Sequence, residues 1–481
     1  MKNYLYTAAE QQTIEEQFNK ELGASNLFLI RRAAEAITQE ALIRWPKLTK
    51  ATFYCGSGKN SADGLVTAGL LANRGVRIKI VMVEWPPRFS AELAKALRFC
   101  KQTSAEFVTE HDTAEEDLIV DAIFGTGLNR KVTGTHLTVI KKINKSEKPV
   151  LAIDIPSGLT ANDGAVLGDA IRANLTVSLV VRKKGLYTGK GSSLSGKVIL
   201  RDLNIPPKFF HPTNTHLLQL DECLSQIPER NKDAHKTAFG HVLVVGGEYG
   251  MGGAVIMAAE AAFRSGAGLV SVATRDRHAL AILLRQPEIM AQGVSCDAEL
   301  DPLIQRATHV VLGPGLGKSE WSRWLFAKVL SSGKQGVIDA DALNILSESP
   351  KDCHDWVLTP HYGEATRLLD GDQDINRFST LAKIQKKFGG VVVLKGAGSL
   401  ITDGETTTVC PYGNPGMAVA GMGDVLSGFV GGLLAQGMSL FKAAQTAVVL
   451  HAYAGDQAAL KGGTRGLMAT DLIPVVRKLI G

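Results

Sequence analysis

The stretch with the most chemistry in it is Asn414–Gly428, N-P-G-M-A-V-A-G-M-G-D-V-L-S-G. An apolar run at helical spacing begins near Asp424. Gly421 and Gly423, just ahead of it, leave backbone N–H groups free at the positive end of that helix. Such an end is an anion hole for a phosphoryl group in transfer. Asp424 stands at the same point and can take a proton from an attacking hydroxyl. Together these parts perform phosphoryl transfer by positioning and charge. The quartet G-x-G-D alone would equally suit a glycine-rich helix packed on a sheet, with Asp424 as its N-cap. The whole string favours the chemistry.

Three loops in the first half carry Asp or Asn together with Gly. They are Cys55–Gly64 (C-G-S-G-K-N-S-A-D-G), Asp121–Arg130 (D-A-I-F-G-T-G-L-N-R) and Asp154–Leu159 (D-I-P-S-G-L). The first is neither G-x-x-x-x-G-K-[ST] nor G-x-G-x-x-G. It reads as a ligand loop or as a plain turn with Asp63 as helix N-cap. Taken singly, Asp121 and Asp154 each suit a turn cap. In an open parallel sheet, however, loops that follow strands gather at one edge, so three such loops point to a shared pocket.

The elements that must position these residues alternate. Residues 8–42 read as helix; 51–55, 77–83, 117–124 and 149–156 as strands; 65–75 and 89–103 as helices. A second series of strands runs through 241–247, 268–274, 309–315, 336–341, 356–361 and 391–396, with helices between and after them. Residues 204–214 hold three prolines and no periodicity, which suits a connection. The expectation is an α/β chain of two domains, 1–210 and 216–481, each a three-layer parallel-sheet sandwich.

Composition agrees. Of 481 residues 50 are Gly, hydrophobic residues make up 45% and charged residues 21%, which excludes disorder, collagen and coiled coil as the main plan. The net charge of +6 is scattered, which suits small anionic ligands better than nucleic acid. Six cysteines without a C-x-x-C pair argue against a zinc site or disulfide framework. There is no signal-like run at the start. The apolar tract 428–441 is too short for a bilayer. A cytosolic protein without membrane contact is expected.

The loops GSGKNSADGLVTA, VDAIFGTGLNR and DIPSGL, in this order, resemble the NAD(P)H-hydrate epimerase domain over roughly residues 10–205. The resemblance implies a Rossmann-like fold and a K⁺ held by Asn60, Asp121 and Ser157. It implies contacts to the hydrated dinucleotide from Lys59, Asn60, Ser61, Ala62 and Asp63, from Gly125, Thr126, Gly127, Leu128, Asn129, Arg130 and Lys131, and from Asp154. Asp154 is the candidate to manage protons at the hydrated ring. The family's usual loop is N-N-G-G-D-G, where this chain has Lys59, Asn60, Ser61, Ala62, Asp63 and Gly64. The segment IRRAAEA also replaces a MERAG-like one.

Residues of about 225–481 resemble the ribokinase-type kinases, and among them the ADP-dependent NAD(P)H-hydrate dehydratases. The strings that carry this are HKTAFGHVLVVGG, QPEIM, GPGLG, DADAL, TPHYGE, KGAG and the Asn414–Gly428 run, with Tyr362 where Pro is commoner. The resemblance implies Asp424 as general base and Gly421 to Gly423 as the anion hole. It implies nucleotide contacts from Lys395, Gly396, Ala397, Gly398, Ser399 and Gly423, and contacts to the hydrated dinucleotide from Ala254, Gly317, His361 and Asp424. Mg²⁺ would accompany ADP, with Asp339 and Asp341 as candidates for its contact; both also suit a strand end and a helix cap. Partners implied are NAD(P)H hydrates, ADP and AMP, in a homo-oligomer. Two alternatives stand beside this: a small-molecule kinase of the same superfamily, and a non-catalytic first half, since that fold also occurs in an mRNA-decapping scaffold.

Overall fold

The apolar runs form one large sheet in each of two compact units, residues 1–215 and 216–481, and Leu5–Tyr6 pairs with Arg182–Lys183 in a separate two-stranded sheet. The computed structural model describes residues 3–23, 26–86, 88–109, 116–372 and 376–481.

In the first unit seven strands lie in the order Glu106–Val108, Arg77–Met82, Lys50–Cys55, Leu118–Ala122, Val150–Ile153, Leu175–Leu179, Lys197–Arg201. Every neighbouring pair is parallel. The chain enters at Lys50–Cys55, builds outward to one edge, then returns to build the other. The switch point therefore lies between Lys50–Cys55 and Leu118–Ala122, where an open sheet leaves a crevice at its strand C-termini. Strands such as Leu118–Ala122 are buried throughout, as a sheet covered on both faces requires.

The helix expected over 8–42 is two helices, Ala8–Leu22 and Asn26–Arg44. Gly23, left-handed at φ 56°, closes the first. The helix after the first strand begins at Lys59, not at residue 65. Lys59 to Gly64 are thus helical, and Gly58 rather than Asp63 is the N-cap. Within 204–214, Pro207–Phe209 form a short 3₁₀ turn whose Phe209 is buried edge-on against Phe18.

The second unit has ten strands, in the order Thr215–Leu217, Thr407–Val409, Leu400–Thr402, Val391–Leu394, Trp356–Leu358, Gln335–Ile338, His309–Leu312, His241–Val245, Leu269–Thr274, Met290–Gly293. The seven from Val391–Leu394 onward pair in parallel; Leu400–Thr402 runs antiparallel on both sides. Here the switch point is between His241–Val245 and His309–Leu312. The helix Met422–Ala435 is buried along nearly its whole length. Its glycines let it approach Gly252–Arg264: a Cβ on Gly428 would lie 2.2 Å from the Ala258 carbonyl oxygen. Close packing and chemistry are thus both true of this helix. Among the described residues, no helix is long and apolar enough to cross a membrane.

Replacing Gly428 with Val should force these helices apart and destabilise the second unit by about 1–3 kcal/mol. A thermal unfolding scan reads this as a lowered transition; an unchanged transition would refute the close-packing account.

Candidate active sites

In the first unit a cavity of about 770 Å³ opens at the switch point. Of the predicted residues, Lys59, Asn60, Asp63, Gly125 to Arg130 and Asp154 line it. Ser61 and Ala62 do not. Ser61 Oγ donates to the Ala122 carbonyl at 3.0 Å, and Ala62 is fully buried. Since both positions are helical, replacing the family's glycines there costs no backbone strain. Lys131 instead lines a neighbouring hollow of about 390 Å³, beside Arg130 and His136.

Asn60, Asp121 and Ser157 do converge, around the backbone of Phe124. Asn60 Nδ2 donates to the Phe124 carbonyl at 2.9 Å, and Ser157 Oγ accepts from Phe124 N–H at 2.8 Å. Asp121 takes Ser157 Oγ–H at 2.6 Å and Ser157 N–H at 2.7 Å. Asp121 is fully buried, and burial lifts its carboxyl to about 6 against the pull of the Ser157 hydrogen bonds. A buried carboxylate beside the Ser157 hydroxyl and the Phe124 carbonyl offers the oxygen ligands that a hard cation takes. These residues therefore fit K⁺, whose charge would offset the cost of burying Asp121.

Asp154 sits just past the end of Val150–Ile153 at φ 66°, a left-handed conformation that Asp tolerates but does not favour. Its Oδ1 accepts from Leu179 N–H at 2.9 Å and from the Lys183 ammonium. Lys183 is completely buried. Burial lowers its pKa, opposed by Asp154, Glu15 and Asp63. Asp63 is pushed up by burial and by the nearby Asp154 and Glu15. Lys183 and Glu15 escaped the sequence reading. Lys183 follows an apolar run and Arg182, and its partner lies 29 residues away, just past the end of another strand.

In the second unit a cavity of about 790 Å³ is lined by Asp339, His361, Glu364, Arg377, Lys395, Gly396, Gly423 and Asp424, among others. The helix starts at Met422, and Gly421, left-handed at φ 89°, is its N-cap. The first-turn N–H groups have no intrahelical partner and mark the positive end of the helix. Asp424 rises to about 7, chiefly by burial and then by Asp339, with Lys395 pulling the other way.

Beneath it, Lys395 Nζ donates to Asp339 Oδ1 at 2.7 Å and Ser427 Oγ to Asp339 Oδ2 at 2.6 Å. Burial raises Asp339, but Lys395 and Ser427 win and hold it below the usual range. The Lys395 ammonium is thus committed inside the protein and stands 3.9 Å from Glu364. Glu364 is lifted to about 7 by burial, against Lys395. His361 lines the cavity and also caps the Tyr362–Leu368 helix, so both readings of it hold.

Ala340, between the two DADAL aspartates, sits at φ 50°, an unfavourable region for a residue with a side chain. The turn parts its neighbours: Asp339 meets Lys395, while Asp341 accepts from Gly317 N–H at 2.9 Å. Both carboxylates are engaged within the protein, Asp339 also by Ser427 and Asp341 also by Asn344. Among the described residues, no group of three or more His, Cys, Asp or Glu is placed to hold a metal ion. Ala254 and Gly317 lie outside the cavity lining, near each other across Met251. Gly421, Ala397, Gly398 and Ser399 also lie outside it. Arg377, unnoticed in the sequence, donates to the carbonyls of Leu394 and Ala397 and clamps the KGAG loop.

Residues 26–185 match the family described as YjeF-related protein N-terminus, and residues 242–478 match NAD(P)H-hydrate dehydratase. A bifunctional NAD(P)H-hydrate repair enzyme of Coxiella burnetii is 45% identical over 473 residues, 97% of each chain. One of Escherichia coli is 35% identical over 95% of this chain and 90% of its own. The chain belongs to this family. At the level of solved structures, a ribokinase-like superfamily protein of Enterococcus faecalis is similar at TM-score 0.53 and 29% identity, covering 56% of this chain and 97% of its own. Family membership spans both units, so both cavities need an account.

Asp339→Asn would strand the Lys395 ammonium. It should destabilise the second unit by about 3 kcal/mol, read by denaturant unfolding. A loss below the error of that measurement would show that Asp339 does not hold the lysine.

Proposed function

We propose that the chain repairs hydrated NADH and NADPH with two activities. The observation that carries this is Asp424 at the open end of the Met422–Ala435 helix, on the wall of one cavity with the clamped Lys395–Gly396 loop.

In the second unit, Asp424 takes the proton of the 6-hydroxyl as its oxygen attacks the β-phosphorus of ADP. AMP leaves. The helix N–H groups stabilise the transferring phosphoryl oxygens. Phosphate then departs from C6 and a proton from C5, and the double bond of NAD(P)H returns. Phosphorylation turns hydroxide, a poor leaving group, into phosphate. Mg²⁺ enters this reading as companion of the nucleotide's phosphates.

In the first unit, the two epimers interconvert. The 6-hydroxyl proton passes to Asp154 as the C6–N1 bond opens, and Asp154 returns it to N1. Closure on the opposite face reverses both transfers. Asn60, Asp121 and Ser157 would hold K⁺, which would supply fixed positive charge near the Phe124–Gly127 loop. The substrate lies along Lys59, Asn60, Asp63 and Gly125 to Arg130. The same reading places the enzyme in the cytosol, where its free thiols stay reduced.

The plain-kinase alternative would leave a stable phosphate ester, and the non-catalytic alternative would leave unrepaired the epimer that the second unit does not accept. The test uses both epimers of hydrated NADH with Mg²⁺, K⁺ and ADP, following reduced-nicotinamide absorbance. Complete recovery is expected. Recovery that stalls partway would refute the epimerase half; none would refute the dehydratase half.

Asp424 must be ionised to act as base, so kcat should climb as pH rises through about 7. Asp424→Asn should lower kcat by on the order of 10²–10⁴-fold. Lys395→Met removes the charge that favours the ionised form and should move the limb to higher pH. A limb that stays in place would separate Asp424 from the titration.

A further inference from the structure

The first site contains a cation that no step above uses. Lys183 Nζ has three partners, the Asp154 carboxylate, the Leu179 carbonyl at 2.7 Å and Ser178 Oγ at 3.3 Å. Three donors meet three acceptors, so the ammonium is fully satisfied without water. It is wholly buried and does not line the cavity, whereas Asp154 does. Asp154 therefore stands between the substrate space and the lysine. Its carboxylate is fixed from behind by Lys183 and by Leu179 N–H, and its backbone is held in a conformation that Asp leaves when free to do so.

We propose that Lys183 is the positioning residue of the epimerase site: its buried ammonium locks the Asp154 carboxylate against the cavity wall, in the orientation that takes the 6-hydroxyl proton. This rests on the epimerase reading of that site. Lys183 acts through Asp154 and touches no substrate atom.

The geometry has a consequence in pH. The groups facing Lys183 are Asp154, Glu15 from the Ala8–Leu22 helix and Asp63 from the Lys59–Ala72 helix, with Lys59 near the latter two. Tyr6 pairs with it in register and donates its hydroxyl away, to the His211 carbonyl at 3.1 Å. Burial lowers the lysine against these carboxylates. When Lys183 loses its proton, Asp154 loses its anchor. The epimerisation rate should therefore fall on the alkaline side, below the pH of about 10.4 at which an ordinary lysine titrates. Arg in that place stays charged throughout this range.

The experiment uses the full chain and the R epimer of hydrated NADH without ADP, so that the second unit is silent. Appearance of the S epimer is followed by chromatography across pH. Lys183→Arg should abolish the alkaline limb. Lys183→Gln should lower kcat by on the order of 10²-fold with KM little changed, and in an Asp154→Asn background should cost nothing further. A parent rate level through the alkaline range overturns the proposal without any variant. So does a folded Lys183→Arg chain that keeps the limb, or an additive double variant. If the parent does not interconvert the epimers at all, the epimerase reading falls and takes the inference with it. If the parent does so and Asp154→Asn stops it while the Lys183 variants match the parent, only the inference falls.

Discussion

Each site rests on a lysine ammonium paired with a buried aspartate at the C-terminal end of a parallel strand. In the second unit it is Lys395 with Asp339; in the first it is Lys183 with Asp154. Such a pair contributes little net stability, because desolvating two charges offsets most of their attraction. What it supplies is position. Lys395 follows one strand and Asp339 another, and Ser427 on the Met422–Ala435 helix completes the set. Breaking it would free the helix end that carries Asp424 from the sheet beneath it.

The two pairs are used differently. In the second unit the paired aspartate is not the reactive one. Asp339 stays ionised and, with burial, keeps Asp424 near neutrality. A base of that kind holds a proton weakly enough to release it and strongly enough to take it. In the first unit the paired aspartate is itself on the cavity wall, and the desolvated acid beside it is Asp63. One arrangement tunes a carboxylate through its neighbour; the other orients it directly.

The sequence made the architecture and the glycine-rich loops legible, because both have local signatures: apolar runs bounded by Gly, and short strings at strand ends. The cluster of Asn60, Asp121 and Ser157, and the residues from Gly125 to Arg130, were named only through the family resemblance that those strings carry. The failures are of another kind. Lys59–Gly64 reads as loop because its Gly, Ser and Asn are loop formers; the helix starts there because the sheet's crevice holds Gly56–Gly58 and tertiary packing overrides propensity. Ser61 and Ala62, expected as ligand contacts, lie buried outside the cavity lining.

Lys183, Glu15, Arg377 and Ser427 had no local signature at all. Each matters through a partner distant in the chain, so its role exists only once the strands are in register. The two DADAL aspartates depend on distant partners in the same way. Asp339 and Asp341 are two carboxylates two residues apart, a spacing that looks like a shared ligand set. The strained Ala340 between them sends one to Lys395 and the other to the Gly317 backbone. A single backbone turn thus decides whether adjacent carboxylates cooperate, and no pattern of residue types reveals which way that turn goes.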